Sequence, residues 1–197
     1  MRYLMDIFDR ALIFAAEKHS GQTRKMSTVP YILHPVEVAS IVGTMTDDKE
    51  ILAAAVLHDT VEDTDTTLEE IRENFGKRIY LLVMTETEEK REDRPAAETW
   101  ELRKLETLAI LANTNDMGVK MMWLGDKLSN IRSFAREYSK TGDKVWENMN
   151  QKNPSKQAWY YRTIAEYLSD LKDYPVYKEY VSLVNYVFAN YETEEVK

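Results

Sequence analysis

The sequence predicts an all-α protein, a compact helical bundle with a metal site between its helices. Three observations carry this. Apolar residues recur at helical spacings along most of the chain, and strand-like alternation of any length is missing. In addition His34, His58, Asp59 and Asp126 supply two imidazoles and two carboxylates, a set able to enclose one divalent ion, from segments that read as three separate helical elements.

Leu4, Phe8, Ala11, Leu12 and Ala15 follow one another as on the apolar face of a first helix. Pro35 to Val42 can open a second helix, because proline is tolerated in a first turn, and this leaves His34 at the helix entrance. Asp47-Asp48 suits the N-terminus of a third helix, running from about Lys49 to Glu62. Thr66-Thr67-Leu68-Glu69-Glu70 then carries a capping box that begins the next. A helix near Ile79 to Thr85 leads into the charged stretch Glu86 to Glu98, which Arg94-Pro95 breaks and which reads as a loop. Helices follow from about Ala96 to Ala112 and from Val119 to Tyr138, with Asn113 to Gly118 as the turn between them. Gly142-Asp143, Asn153-Pro154 and Tyr174-Pro175 separate the remaining helical segments, which end near Tyr191 before a tail expected to fray.

The apolar run Ile51 to Leu57 delivers His58-Asp59 from a core to a pocket. At about 100° per residue, His58 and Glu62 share a helix face with Asp59 and Asp63 beside them, so two of these groups can bind metal while two manage protons. Imidazole nitrogen and carboxylate oxygen suit Mn²⁺, Fe²⁺ or Zn²⁺, so the donor set leaves the metal open. Glu62 and Asp63 can also be read as a solvated helix end. Asp126, Asn130 and Ser133 share one face of the late helix by their spacings of four and three.

The chain of 197 residues fits one compact domain, 1–197, with a motif-bearing core over about 12–136 and a C-terminal helical extension over about 138–191. With no cysteine it has neither a disulfide scaffold nor a thiolate nucleophile. No apolar run approaches the roughly 20 residues of a membrane span, and the first helix, interrupted by Asp6, Asp9 and Arg10, is unlike a signal peptide. A soluble cytoplasmic protein is expected. A net charge of −8 argues against a nucleic-acid surface, which displays a broad basic patch, but allows a small phosphorylated ligand met by a metal and a few local bases. Trp100, Trp123, Trp146 and Trp159 and the nine methionines read as core. His19, the third histidine, reads as a helix C-terminal residue. The oligomeric state is left open.

Gly21-Gln22-Thr23-Arg24-Lys25, then Pro30-Tyr31-Ile32-Leu33-His34-Pro35, then His58-Asp59-Thr60-Val61-Glu62-Asp63-Thr64 and finally Asp126-Lys127-Leu128-Ser129-Asn130-Ile131-Arg132 stand in this order along the chain. Over about Leu12 to Arg136 this arrangement resembles the hydrolase domain of RelA/SpoT homologues, including the small alarmone hydrolases of the HD superfamily. The resemblance implies an HD-domain helical bundle and a Mn²⁺-dependent phosphohydrolase that removes pyrophosphate from the 3′ position of guanosine 3′,5′-bis(diphosphate), an alarmone of the stringent response, or of its pentaphosphate relative. It implies His34, His58, Asp59 and Asp126 as metal ligands and Glu62 and Asp63 as the catalytic carboxylates. It also implies Arg24 packing on the base, Lys25 near phosphate or ribose, Asn130 and Ser133 on the nucleoside, and Arg103-Lys104 on phosphate. Solvation and helix salt bridging are the alternative for the last pair. The chain departs from the pattern in the four residues Met26 to Val29, in Ser129 and in Thr85 to Lys90. An HD phosphohydrolase acting on another nucleotide, and a non-catalytic nucleotide-binding helical module, are the competing expectations.

Overall fold

The computed structural model describes residues 5–24, 28–89, 91 and 93–193. Ten α-helices are defined among the described residues: α1 (Ile7–Lys18), α2 (Leu33–Val42), α3 (Lys49–Leu57), α4 (Thr60–Asp63), α5 (Leu68–Phe75), α6 (Lys77–Glu86), α7 (Ala96–Asn113), α8 (Met117–Thr141), α9 (Pro154–Tyr167) and α10 (Pro175–Val187). Two 3-10 turns, Gly142–Asn148 and Ser169–Leu171, complete them. The predicted all-α class is thus the observed one, with a single isolated bridge between Thr23 and Pro30 among the described residues. None of the described helices is long and apolar enough to cross a membrane.

Local chemistry sets many of the boundaries. The Asp48 carboxylate accepts from the Glu50 N–H at 2.9 Å and the Thr67 hydroxyl from the Glu70 N–H at 3.1 Å, each satisfying an otherwise orphaned donor in a first turn. Asn153 does the same for Ser155 N–H at 2.9 Å, with Pro154 in the position where a missing N–H costs nothing. Gly76, at φ 89°, turns the chain sharply between α5 and α6, a conformation that favours glycine.

The third helix departs from its expected length. It ends at Leu57, and α4 is a separate turn beginning at Thr60. Two side chains take the carbonyls at the break: the Thr60 hydroxyl donates to Leu57 O at 2.6 Å, and the His58 ring lies with Nδ1 2.8 Å from Ala55 O. Helix α8 likewise runs past its expected end at Tyr138 to Thr141.

The chain divides into two compact units, Met1–Thr87 with Met117–Asp126, and Glu88–Asp116 with Lys127–Lys197. In the first unit α3 is the hub, buried over Ile51 and Ala53 to Leu57, with α1, α2 and α6 packed on it. Ala11 and Ala15 of α1 and Ala53, Ala54 and Ala55 of α3 are all fully buried, and side chains this small allow packed helices to approach closely.

The start of α8 lies against α2 in the same unit at Gly125. A Cβ there would sit 2.9 Å from Val42 Cγ2 and 3.2 Å from both Val38 Cγ1 and the Val38 carbonyl oxygen. Gly125→Ala is therefore expected to cost about 1–3 kcal/mol by overpacking and to lower the melting temperature by roughly 2–4 °C per kcal/mol. An unchanged melting temperature would refute the close approach.

The second unit is held by aromatic packing. Trp146 lies 5.0 Å from the Phe134 ring and 5.6 Å from that of Phe188, which Tyr161 meets at 5.6 Å. Arg162 donates to the carbonyl of Phe188, the C-cap of α10, at 2.9 Å and to that of Tyr191, beyond the helix, at 3.0 Å. All four tryptophans are buried, as expected for core residues.

Candidate metal centre

The predicted metal set lies wholly within the first unit. His34 stands in the first turn of α2, His58 and Asp59 in the turn between α3 and α4, and Asp126 one residue beyond the close approach of Gly125 to α2. One ligand atom each from His34, His58 and Asp126 lie within 4.8 Å of one another, and all three residues are buried. His34 Nε2 is 3.1 Å from Asp126 Oδ1 and 3.4 Å from Asp59 Oδ2. His58 Nε2 is 3.1 Å from Asp59 Oδ2 and 3.8 Å from Asp126 Oδ1. The structure therefore brings three of the predicted residues into one buried cluster and sets the fourth, Asp59, within 3.4 Å of both imidazoles.

The donor chemistry fits a cation there. Because only an N–H can pair with the Ala55 carbonyl, His58 carries its proton on Nδ1 and turns the other nitrogen toward the carboxylates. That nitrogen, Nε2, is buried and faces Asp59 Oδ2 at 3.1 Å and Asp126 Oδ1 at 3.8 Å. Electrostatics state the same demand. Burial pulls the His58 imidazole down, but the charge and hydrogen bond of Asp59, followed by the charges of Asp126 and Glu86, outweigh it and push the group up to about 10. Burial likewise pushes Asp59 up, and the surrounding charge and hydrogen bonds of His58 and His34 reverse this to hold its carboxyl well below the usual range. The pocket is built to pair its carboxylates with positive charge.

Around these four residues are groups that sequence reasoning missed. The Tyr31 hydroxyl lies 2.6 Å from Asp59 Oδ2 and 2.9 Å from Asp63 Oδ2. Its one sequence signal is its place three residues before His34, in the quoted Pro30 to Pro35 motif. Glu86, buried at the end of α6, adds negative charge toward His58, and nothing local in the sequence announces that.

Glu62 and Asp63 lie half-buried on α4, directly after Asp59. The Arg24 guanidinium sits over the Tyr31 ring, 5.7 Å from its centroid, so it borders the same cluster. Lys25 lies outside the described residues. His19 is the C-cap of α1, as expected, but its ring is buried and stacks at a tilt on Tyr31 at 4.9 Å.

The other candidates belong to the second unit. Asn130 and Ser133 are on α8, where Arg136 donates to the Ser133 hydroxyl at 2.9 Å. Arg103 and Lys104 both engage Glu88, at 2.7 and 2.5 Å, and Arg103 spends further N–H groups on Thr99 Oγ1 and Ala96 O. Burial pushes the Glu88 carboxyl up, but the Lys104 charge and hydrogen bond, then Lys127 and Arg103, hold it below its ordinary value. This is an internal ion-pair network, and any phosphate reaching the basic pair would compete with Glu88 for it.

A helical fold with a buried cluster of two histidines and a carboxylate, and a second carboxylate beside it, defines a class of metal-binding helical domain. The HD domain family matches residues 11–153, and the chain belongs to that family.

Over 125 residues the chain is 43% identical to the guanosine-3′,5′-bis(diphosphate) 3′-pyrophosphohydrolase of Aquifex aeolicus, an alignment that covers 64% of this chain and 17% of that protein. It is 38% identical over 128 residues to the protein of the same name from Vibrio cholerae, with the same two coverages. A GTP pyrophosphokinase of Myxococcus xanthus is 36% identical over 132 residues, covering 66% of this chain and 17% of its own. The chain thus spans about a sixth of the length of these curated relatives. Among solved structures, one described as a metazoan ortholog of SpoT that hydrolyzes ppGpp superposes with a TM-score of 0.68 at 24% identity, over 96% of this chain and 97% of that one. A Listeria monocytogenes protein superposes with a TM-score of 0.70 at 30% identity, over 84% and 100%.

Proposed function

We propose that this chain is a (p)ppGpp 3′-pyrophosphohydrolase: it hydrolyses the 3′-pyrophosphate of guanosine 3′,5′-bis(diphosphate) or its pentaphosphate relative, giving GDP or GTP and pyrophosphate. The observation that carries the reading is the buried cluster of His34, His58 and Asp126, with Asp59 within 3.4 Å of both imidazoles. Relatives named for this reaction, at 43% and 38% identity, supply the substrate class. His34, His58, Asp59 and Asp126 would hold the ion, and Mn²⁺ is the metal proposed. A divalent ion bound there supplies Lewis acidity toward a phosphoryl oxygen and toward water.

The chain's own residues divide the remaining work. Glu62 orients the attacking water and accepts its proton while the water oxygen forms its bond to the ester (α) phosphorus of the 3′-diphosphate. The bond from that phosphorus to the ribose 3′ oxygen breaks, and Asp63 delivers the proton that the leaving alkoxide needs. Arg24 lies on the rim formed by Tyr31, where a guanidinium can stack on a purine. Asn130 and Ser133 are proposed for the nucleoside, and Lys25, Arg103 and Lys104 for phosphate or ribose. The setting proposed is the cytoplasm, with a small nucleotide as the partner and neither nucleic acid nor membrane.

The test is pyrophosphate release from guanosine 3′,5′-bis(diphosphate) by the purified protein, with Mn²⁺ and after chelation. Stoichiometric formation of GDP and pyrophosphate that stops on chelation is the expected result. Metal uptake without release would reject this substrate and leave another nucleotide, or binding without turnover, as the reading.

A further inference from the structure

We propose that Tyr31 is a positioning residue of this centre: its single hydroxyl ties the metal-ligand carboxylate Asp59 to Asp63, so that ligand geometry and proton delivery are set together. The inference rests on the roles given above to Asp59 and Asp63.

Its first support is the hydroxyl's position. The oxygen lies 2.6 Å from Asp59 Oδ2 and 2.9 Å from Asp63 Oδ2. Asp59 Oδ2 is also the atom that both histidine Nε2 atoms face, at 3.1 and 3.4 Å. A phenol has one proton to give, so it serves one carboxylate at a time, and a turn about its C–O bond passes the donor from one to the other.

The second support is that the ring has little freedom to do anything else. It meets His19 at 4.9 Å and the edge of His34 at 5.9 Å, and Arg24 lies over it at 5.7 Å. Its backbone N–H donates to Gln22 O at 2.9 Å. The Gln22 amide nitrogen donates to the Asp63 carbonyl at 2.7 Å, which leaves Gln22 Oε1 to accept from His19 Nδ1 at 2.8 Å. Gln22 therefore anchors the backbones of both Tyr31 and Asp63, and His19 fixes Gln22. This explains the buried histidine that the metal set does not use.

Outer hydrogen-bond partners of metal ligands orient them, and their loss costs about 10- to 100-fold in metal affinity or activity. Tyr31→Phe removes one oxygen and keeps the ring. Its Mn²⁺ affinity, measured by competition with a chromophoric chelator, is expected to fall by about that factor. At saturating Mn²⁺, kcat is expected to fall with KM unchanged. Unaltered affinity and kcat, or a loss confined to the metal-free melting temperature, would overturn the proposal.

Wild-type protein that takes up Mn²⁺ but releases no pyrophosphate would defeat the substrate reading alone, and the affinity comparison would still decide the role of Tyr31. If the variant does not fold, 3-fluorotyrosine placed at position 31 keeps the hydroxyl and supplies a ¹⁹F resonance. A shift of that resonance that saturates with metal uptake supports the coupling, and a resonance indifferent to metal overturns it.

Discussion

His58→Ala is expected to leave the protein unable to retain Mn²⁺ and to reduce pyrophosphate release to the level of the chelated wild type. The substitution removes the nitrogen that the Ala55 carbonyl aims at Asp59 and Asp126. Asp126→Ala, removing the oxygen 3.1 Å from His34 Nε2, is expected to act in the same way. A ligand that binds only the native state stabilises it by about 2.7 kcal/mol at a hundredfold excess over Kd, or roughly 5–10 °C in melting temperature for a chain of this size. Wild type should show that rise with Mn²⁺ and both variants should lack it. Metal content with melting curves is the measurement, and full metal retention by either variant would remove that residue from the ligand set.

The pH dependence has a definite sign. His58 is raised from its ordinary 6.5 to about 10 in the metal-free fold, so its contribution to stability is fully present below 6.5 and is lost as pH rises through about 10. The same proton competes with a cation for Nε2. Metal affinity should therefore strengthen as pH rises across that window, with proton release on binding, while the metal-free protein becomes less stable. A pH-independent affinity would contradict the placement of His58 Nε2 toward the ion.

Glu62→Gln is expected to reduce kcat by about 10²–10⁴-fold, the usual value of a positioned proton acceptor. It should retain metal, because Glu62 is not among the residues that converge on the metal point. Glutamine preserves the shape of the side chain on α4 but cannot take a proton from water near neutral pH. Single-turnover rates at saturating Mn²⁺, beside measured metal content, separate this from ligand loss. A variant with wild-type kcat would transfer the role to another group, with Asp63 the first to examine.

Much of the helical order was legible because its causes are local. Asp48, Thr67 and Asn153 each cap a first turn through an N–H two or three residues away, and a carboxylate, a hydroxyl or an Asn-Pro pair announces this in the sequence. The break after Leu57 was not legible. Thr60 and His58 could equally have pointed elsewhere along a continuing helix, and only the fold turns their side chains back onto the Leu57 and Ala55 carbonyls. Glu88 was hidden for a related reason. It sits in a charged loop with the look of a solvated stretch, and its burial between Arg103 and Lys104 depends on where α7 runs.

By itself the sequence determined the helical class and the chemical identity of the donors, since periodicity settles the first and the choice of imidazole and carboxylate settles the second. Tertiary structure alone decided which atoms meet. Tyr31 reaches Asp59 and Asp63 across 28 and 32 residues, and a glycine at 125 brings α8 close to Val38 and Val42 of α2 just before Asp126. Such distances follow from the packing of α2 and α8 in the first unit, where a single methyl group changes the approach, and no local pattern in the chain encodes packing at that scale.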